Sequence, residues 1–214
     1  MNLQRTGYTK TTPQHYWVDA GAVYKNLKYD KEKKEWVGEL LGATADGNKL
    51  TIENEYRPIE VDGVFTKAVG QEVLKSANAK LEINIKEITA ENIRLAINGV
   101  IRDVEEGEAP EGYKVIEGKS KLENSDYFEN LALVGTITGS DQPIIAILDN
   151  ALCTSGLDAE TKDDDEAVLK MTFEAHAGAD QVANRKLPAR IYFPPINKEV
   201  KEVKEEPKGD KIQE

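Results

Sequence analysis

A chain of 214 residues, 39% hydrophobic and 31% charged, is large enough for one sizeable domain with a proper core, or at most two small ones. Its formal net charge of −11 and pI near 4.9 exclude a nucleic-acid clamp, which needs a basic groove to displace counterions. No stretch approaches the ~20 apolar residues of a helical membrane span, and MNLQRTGYTK at the N-terminus lacks the apolar core of a signal peptide.

Residues 1–15 are polar, carry Pro13 and His15, and read as an N-terminal arm. Residues 16–24 (YWVDAGAVY) predict a strand, with Gly21 as a bulge or a point of close approach. The charged stretch 29–35 (YDKEKKE) predicts a turn between two apolar runs. Residues 36–41 then predict a short strand, and GATADGN (42–48) is a strong turn signal centred on Asp46-Gly47. Leu50, Ile52 and Tyr56 resume alternation until Pro58, which marks a sheet edge or an interruption.

The stretch 59–99 organises the rest. It predicts a strand, a long polar excursion over residues 62–78, a second strand and then a helix. Asp62-Gly63 and Gly70 punctuate the excursion, which at roughly 15 residues exceeds the usual hairpin connection of about 2–5. Such a loop is either a working, partner-bound element or a solvated surface loop. Leu81, Ile83 and Ile85 alternate with Lys80, Glu82, Asn84 and Lys86, so a strand here buries one face. Thr89 is placed to cap the helix and Glu91 suits its positive end, while Ile93, Ala96 and Ile97 share an apolar face.

Beyond the helix, VEEGEAPEG (104–112) predicts an acidic loop and residues 113–116 a brief strand. Residues 128–138 and 144–148 are β-rich and separated by the turn GSDQP. Residues 157–166 (LDAETKDDDE) form the most acidic stretch. Residues 167–177 alternate cleanly, with Leu169, Met171, Phe173 and Ala175 on one face and Lys170, Thr172, Glu174 and His176 on the other. Residues 190–193 predict a last strand, stopped by Pro194-Pro195. From Lys198 the chain reads KEVKEVKEEPKGDKIQE, five lysines against six carboxylates, with too few apolar residues to bury. This divides the chain into a β domain over 1–197, carrying one helix, and a charged tail over 198–214.

Sites for chemistry are scarce. Cys153 in ALCTSG has no nucleophile elbow or cysteine-enzyme signature around it and reads as a small core residue. A single cysteine also forms no internal disulfide and fits a reducing cytosol. His176 falls on the polar face of its strand, where an ordinary hydrogen-bonding role is expected. The run Asp163-Asp164-Asp165-Glu166 invites calcium but lacks the spacing and central glycine of an EF-hand, so a solvated acidic loop is expected, as for Glu105, Glu106 and Glu108. Aromatic residues at 7% give no stacking platform. The expectation is therefore a non-enzymatic protein with no catalytic, cofactor or metal residues, working by association. An alternative is an all-β module binding a small molecule or sugar through its acidic loops.

Four segments occur in an order that resembles the major tail tube protein family of long-tailed bacteriophages: DAGAVYKN (19–26), LLGATADGN (40–48), RPIEVDGV (57–64) and VGQEVLKSANAKLEINIKEITAENI (69–93). The resemblance implies a mainly β fold, a β-sandwich or partial barrel with one flanking helix, a long inter-strand loop and extended terminal arms. It implies subunits that form hexameric rings, stacked into a hollow tube in the virion tail and assembled in the bacterial host cytoplasm. The implied partners are further copies of the chain, a tape measure protein and a tail terminator, with double-stranded DNA passing through the lumen unbound and no membrane involved. The family's long loop reaches the adjacent ring, which makes Asp62, Val64, Phe65, Val69, Val73 and Leu74 the expected contact residues between rings or subunits.

Overall fold

Strand β10 (Asp165–Glu174) shows how the sequence pattern becomes structure: Leu169, Met171 and Phe173 are buried, while Lys170 and Glu174 face outward. It pairs antiparallel with β4 (Glu72–Ile85), setting Leu169 opposite Ile85 and Phe173 opposite Leu81. Two apolar stripes thus lie side by side, each fully buried Leu, Ile or Phe contributing about 1.5–3 kcal/mol. The computed structural model describes residues 6–163 and 165–196, so the expected tail over 198–214 lies outside the described residues.

The other strands are β1 (Trp17–Asp30), β2 (Glu35–Leu40), β3 (Lys49–Pro58), β5 (Val100–Asp103), β6 (Lys114–Glu117), β7 (Phe128–Ile137), β8 (Ile144–Cys153), β9 (Asp158–Lys162) and β11 (Ala189–Tyr192). The large sheet runs β2-β1-β7-β8-β10-β4-β3, with β11 beside β8 and β9 beside β10; β5 and β6 form a separate hairpin. β8 is the corner. Its first half pairs with β11 and its end with β10, while β7 follows its other edge. The connection between β2 and β3 closes the gap opposite: Leu41 N–H donates to the Val23 carbonyl at 2.8 Å, and Ala45 N–H to the Asn84 carbonyl at 2.9 Å. The strands therefore wrap one core, in which Val23, Leu41, Leu81, Ile85, Leu133, Leu148 and Phe173 meet. The fold is mainly β, as expected.

Local devices follow the sequence. Gly21 has φ +75° at a break in the β1–β7 register between Val18 and Ala22, and a side chain there would strike Leu133 Cδ1 at 2.9 Å. The turn after β1 is tied by Asp30 Oδ1, which accepts from the Glu32 and Lys33 amides at 2.9 and 3.1 Å. Thr89 Oγ1 accepts from the Asn92 amide at 3.1 Å and caps helix α1 (Ala90–Ala96). The buried face of α1 differs from the expected one. Asn92, Leu95 and Ala96 are deepest, while Ile93 and Ile97 are half-buried, because the Asn92 amide is drawn inward to donate to the Glu87 carbonyl at 2.8 Å.

Three other expectations are corrected. The run from Asp163 to Glu166 is not wholly a solvated loop: Asp165 and Glu166 begin β10, which pairs with β9, setting Glu160 opposite Val168 with its carboxylate 3.5 Å from Lys170. No strand begins at Ile59, since β3 has already ended at Pro58. A second helix, α2 (Ala179–Ala183), is also present, and it buries no residue, so no apolar stripe announces it.

Candidate assembly surface

The hairpin of β3 and β4 leaves the body halfway along. Between Lys80 and Glu82, β4 is flanked by β3 on one side and β10 on the other, and β10 continues to Ile85, where Thr44 bridges the opposite edge. Before Lys80, β10 has ended, and only β3 accompanies it, from Ile52 opposite Ala79 out to Pro58 opposite Glu72. Residues 52–70 are exposed without interruption. Two cross-links stiffen the ribbon: Lys75 Nζ lies 2.6 Å from Glu55 Oε1, and Ser76 Oγ donates to Glu55 Oε2 at 3.0 Å. These hydrogen bonds, Lys75 first, hold the Glu55 carboxyl below its ordinary range.

The connecting loop spans 59–71, not the expected 62–78. Its base is pinned by Ile59 N–H donating to the Gln71 carbonyl at 2.6 Å, and turns at Gly63 and Gly70 fold it around an open concavity of about 510 Å³. Asp62, Val64, Phe65 and Val69 lie on this loop; Val73 and Leu74 belong to β4. Phe65 and Val69 are fully exposed, Val64 and Leu74 about half, and Val73 is half-buried against the ribbon. Sequence reasoning missed Ile52, Tyr56, Ile59 and Val61, all exposed, which extend the apolar strip along the arm. Their signal was the recurrence of single apolar residues among charged ones on both sides of Pro58. These apolar side chains lie on one arm of the fold, exposed to solvent.

A second surface lies on the back of the sheet. β1 leaves its ladder with β7 after Lys25, and Asn26 takes φ +53°. The Asn130 side chain then stands in for the missing strand partner, accepting from the Leu27 amide at 2.9 Å and donating to the Leu27 carbonyl at 3.2 Å. Leu27 packs with Ala132, Ile145 and Ile147, and Trp36 lies against them. The Trp36 ring meets Tyr29 and Tyr192 edge-on at 5.5 and 5.2 Å. Between these rings, Phe193 and the Pro143 turn is a concavity of about 620 Å³ with Ile145 beneath and Lys34 at its rim.

The residues weighed for chemistry are structural. Cys153 is 3% exposed, its thiol pushed up by burial, with Sγ 3.6 Å from Ser155 Oγ. The His176 ring packs edge-on to Tyr127 at 5.2 Å. Glu108 is more than solvated: Arg102 donates to both of its oxygens at 2.8 Å, which with the Glu105 amide brings its carboxyl to about 2. Among the described residues no three His, Cys, Asp or Glu side chains converge as metal ligands. The polar wall of β3, β4 and β10 is charge-mixed, with Lys49–Glu82 at 3.0 Å and Lys80–Glu53 at 3.7 Å.

No protein-family model matches the chain, and no curated protein matches it. Among solved structures it is similar to a chain in the virion of a native gene transfer agent particle, at 12% identity and a TM-score of 0.38, covering 74% of this chain and 92% of that one. It is also similar to a chain in the tail of an empty gene transfer agent particle with C6 symmetry, at 10% identity and a TM-score of 0.40, with the same coverage of 74% and 92%. A likeness this remote assigns no function.

Proposed function

We propose that the chain is a structural, non-enzymatic subunit of a bacteriophage-type tail tube, its copies forming stacked hexameric rings around a conduit for double-stranded DNA. The observation that carries this is the β3–β4 arm, which displays Phe65 and Val69 in full to solvent at the end of a ribbon with no core of its own. Two of the four family-like segments, RPIEVDGV and the first part of VGQEVLKSANAK, build this arm. β2 and β3 end the large sheet, and ring closure through such edges removes a liability that a free monomer must otherwise manage. A net charge of −11 suits a wall along which phosphates slide without binding. In this reading the tape measure and tail terminator are its partners, and the virion tail is its location.

The test replaces residues 59–71 by Asn-Gly, so that a tight turn joins Pro58 to Glu72. The variant is expected to fold with an unchanged melting temperature and to form no rings or tubes in negative-stain images, while the parent protein forms them at high concentration. Normal tube growth by the variant refutes the arm's role. A parent protein that stays monomeric at every concentration refutes the function.

A further inference from the structure

We propose that the aromatic concavity on the back of the sheet receives the arm tip of a second copy, with Phe65 seated against Trp36, Tyr192 and Phe193. This rests on the assembly reading and names the surface that the arm meets. Shape supports it: Phe65 stands free at a projecting tip, and the concavity, about 620 Å³ with Ile145 at its floor, is walled by rings that leave room for another. Edge-to-face contacts already link Tyr29, Trp36 and Tyr192, and a fourth ring continues the same packing. Phe193 at 60% exposed and Tyr29 at 49% keep the walls wet until something covers them.

Charge supports it as well. Among the described residues, Lys34 at the rim of the concavity has no carboxylate within ion-pair distance, and Glu60 and Asp62 beside the tip have no cation. Seating the tip sets these opposite charges facing each other, which fixes orientation more than it adds affinity. The contact is also heterologous. Each copy offers one tip and one concavity on different elements, so copies can join head to tail and the contact can repeat.

The experiment places one cysteine beside each surface and leaves the anchors intact. Thr66→Cys on the arm and Gln142→Cys at the rim are both exposed, whereas the native Cys153 is buried and adds little background. The two variants are mixed under assembly conditions and treated with a short bis-maleimide. Cross-linked dimers in the mixture, absent from either variant alone, are the expected result. Tubes that form without the cross-link overturn the concavity as receptor and leave the assembly intact; absence of any assembly overturns both. As a second readout, Lys34→Glu is expected to raise the assembly threshold about tenfold, with Glu60→Lys and Asp62→Lys together restoring it. A folded Lys34→Glu protein that the reversed tip does not rescue counts against the proposal.

Discussion

The two halves of β4 belong to one continuous strand and have opposite surroundings. In the body half, Ala79, Leu81, Ile83 and Ile85 are buried between β3, β10 and the core. In the arm half, Leu74 is 51% exposed and only β3 runs alongside. Ladder pairing is continuous through both halves apart from one shift near Tyr56, so pairing does not decide burial. A second layer does. An isolated two-stranded ribbon is marginal in water, and this one persists because the body holds its root and Lys75, Glu55 and Ser76 brace its middle. Its apolar side chains remain available to a partner.

The sharpest way to break this comparison is to truncate the same residue type in each half. Leu81→Ala is expected to cost about 2–5 kcal/mol in denaturant unfolding, the range for a buried leucine whose site cannot collapse. Leu74→Ala is expected to stay within about 0.5 kcal/mol for the monomer, as for surface positions, while lowering the yield of assembly. Equal losses at the two sites would mean that the arm is part of the cooperative core.

The same contrast governs what the sequence reveals. Strict alternation reads correctly wherever a second layer enforces it, as in Leu169, Met171 and Phe173 or in Leu81, Ile83 and Ile85. The arm half of β4, EVLKSAN, shows no alternation and holds Lys, Ser and Asn, so it reads as loop; it is strand only because β3 pairs with it. The acidic run misleads for a related reason. Its like charges suggest a solvated loop, but β9 and β10 pair with each other and Lys170 offsets Glu160. The aromatic concavity was not legible, because Tyr29 and Trp36, opposite each other in the β1–β2 hairpin, meet the remote Tyr192 only through the fold-back of β1 at Asn26. The exposure of Val64, Phe65 and Val69 has a plain physical reason: these apolar residues stand among turn-forming glycines with no strand to bury them.

The β1–β2 hairpin sharpens the comparison from another side, since it also outgrows its neighbour but folds back onto the sheet. Asn130 is the hinge of that difference: it is 6% exposed and satisfies both backbone groups of Leu27. Asn130→Ala leaves the Leu27 amide and carbonyl without partners, which is expected to cost about 1–3 kcal/mol. The accompanying signature is a fluorescence change at Trp36, which rests on the patch that Leu27 anchors. An Asn130→Ala protein with parental stability and fluorescence would mean that apolar contact alone folds the hairpin back.

The smallest expected effect concerns acid. Glu55 on the arm and Glu108 beside β5 both have carboxyls below the ordinary range, Glu55 through Lys75 and Ser76, Glu108 through Arg102 and the Glu105 amide at about 2. A carboxyl depressed in the folded state stabilises above its unfolded value, near 4.3, and that contribution is lost as pH falls through the folded value. Both groups are exposed, so solvent screens the gain and the whole molecule loses little. The loss is nonetheless local. Corrected for the intrinsic slowing of exchange in acid, protection in the β5–β6 hairpin is expected to fall between about pH 4 and pH 2, and protection in the arm to fall below the ordinary carboxylate range, while the Leu81 and Phe173 amides keep theirs. Lys75→Met should bring the arm's response up toward the ordinary carboxylate range and leave the β5–β6 response unmoved. If arm and core amides instead lose protection together in acid, the arm unfolds only with the body, and the distinction between the two halves of β4 fails.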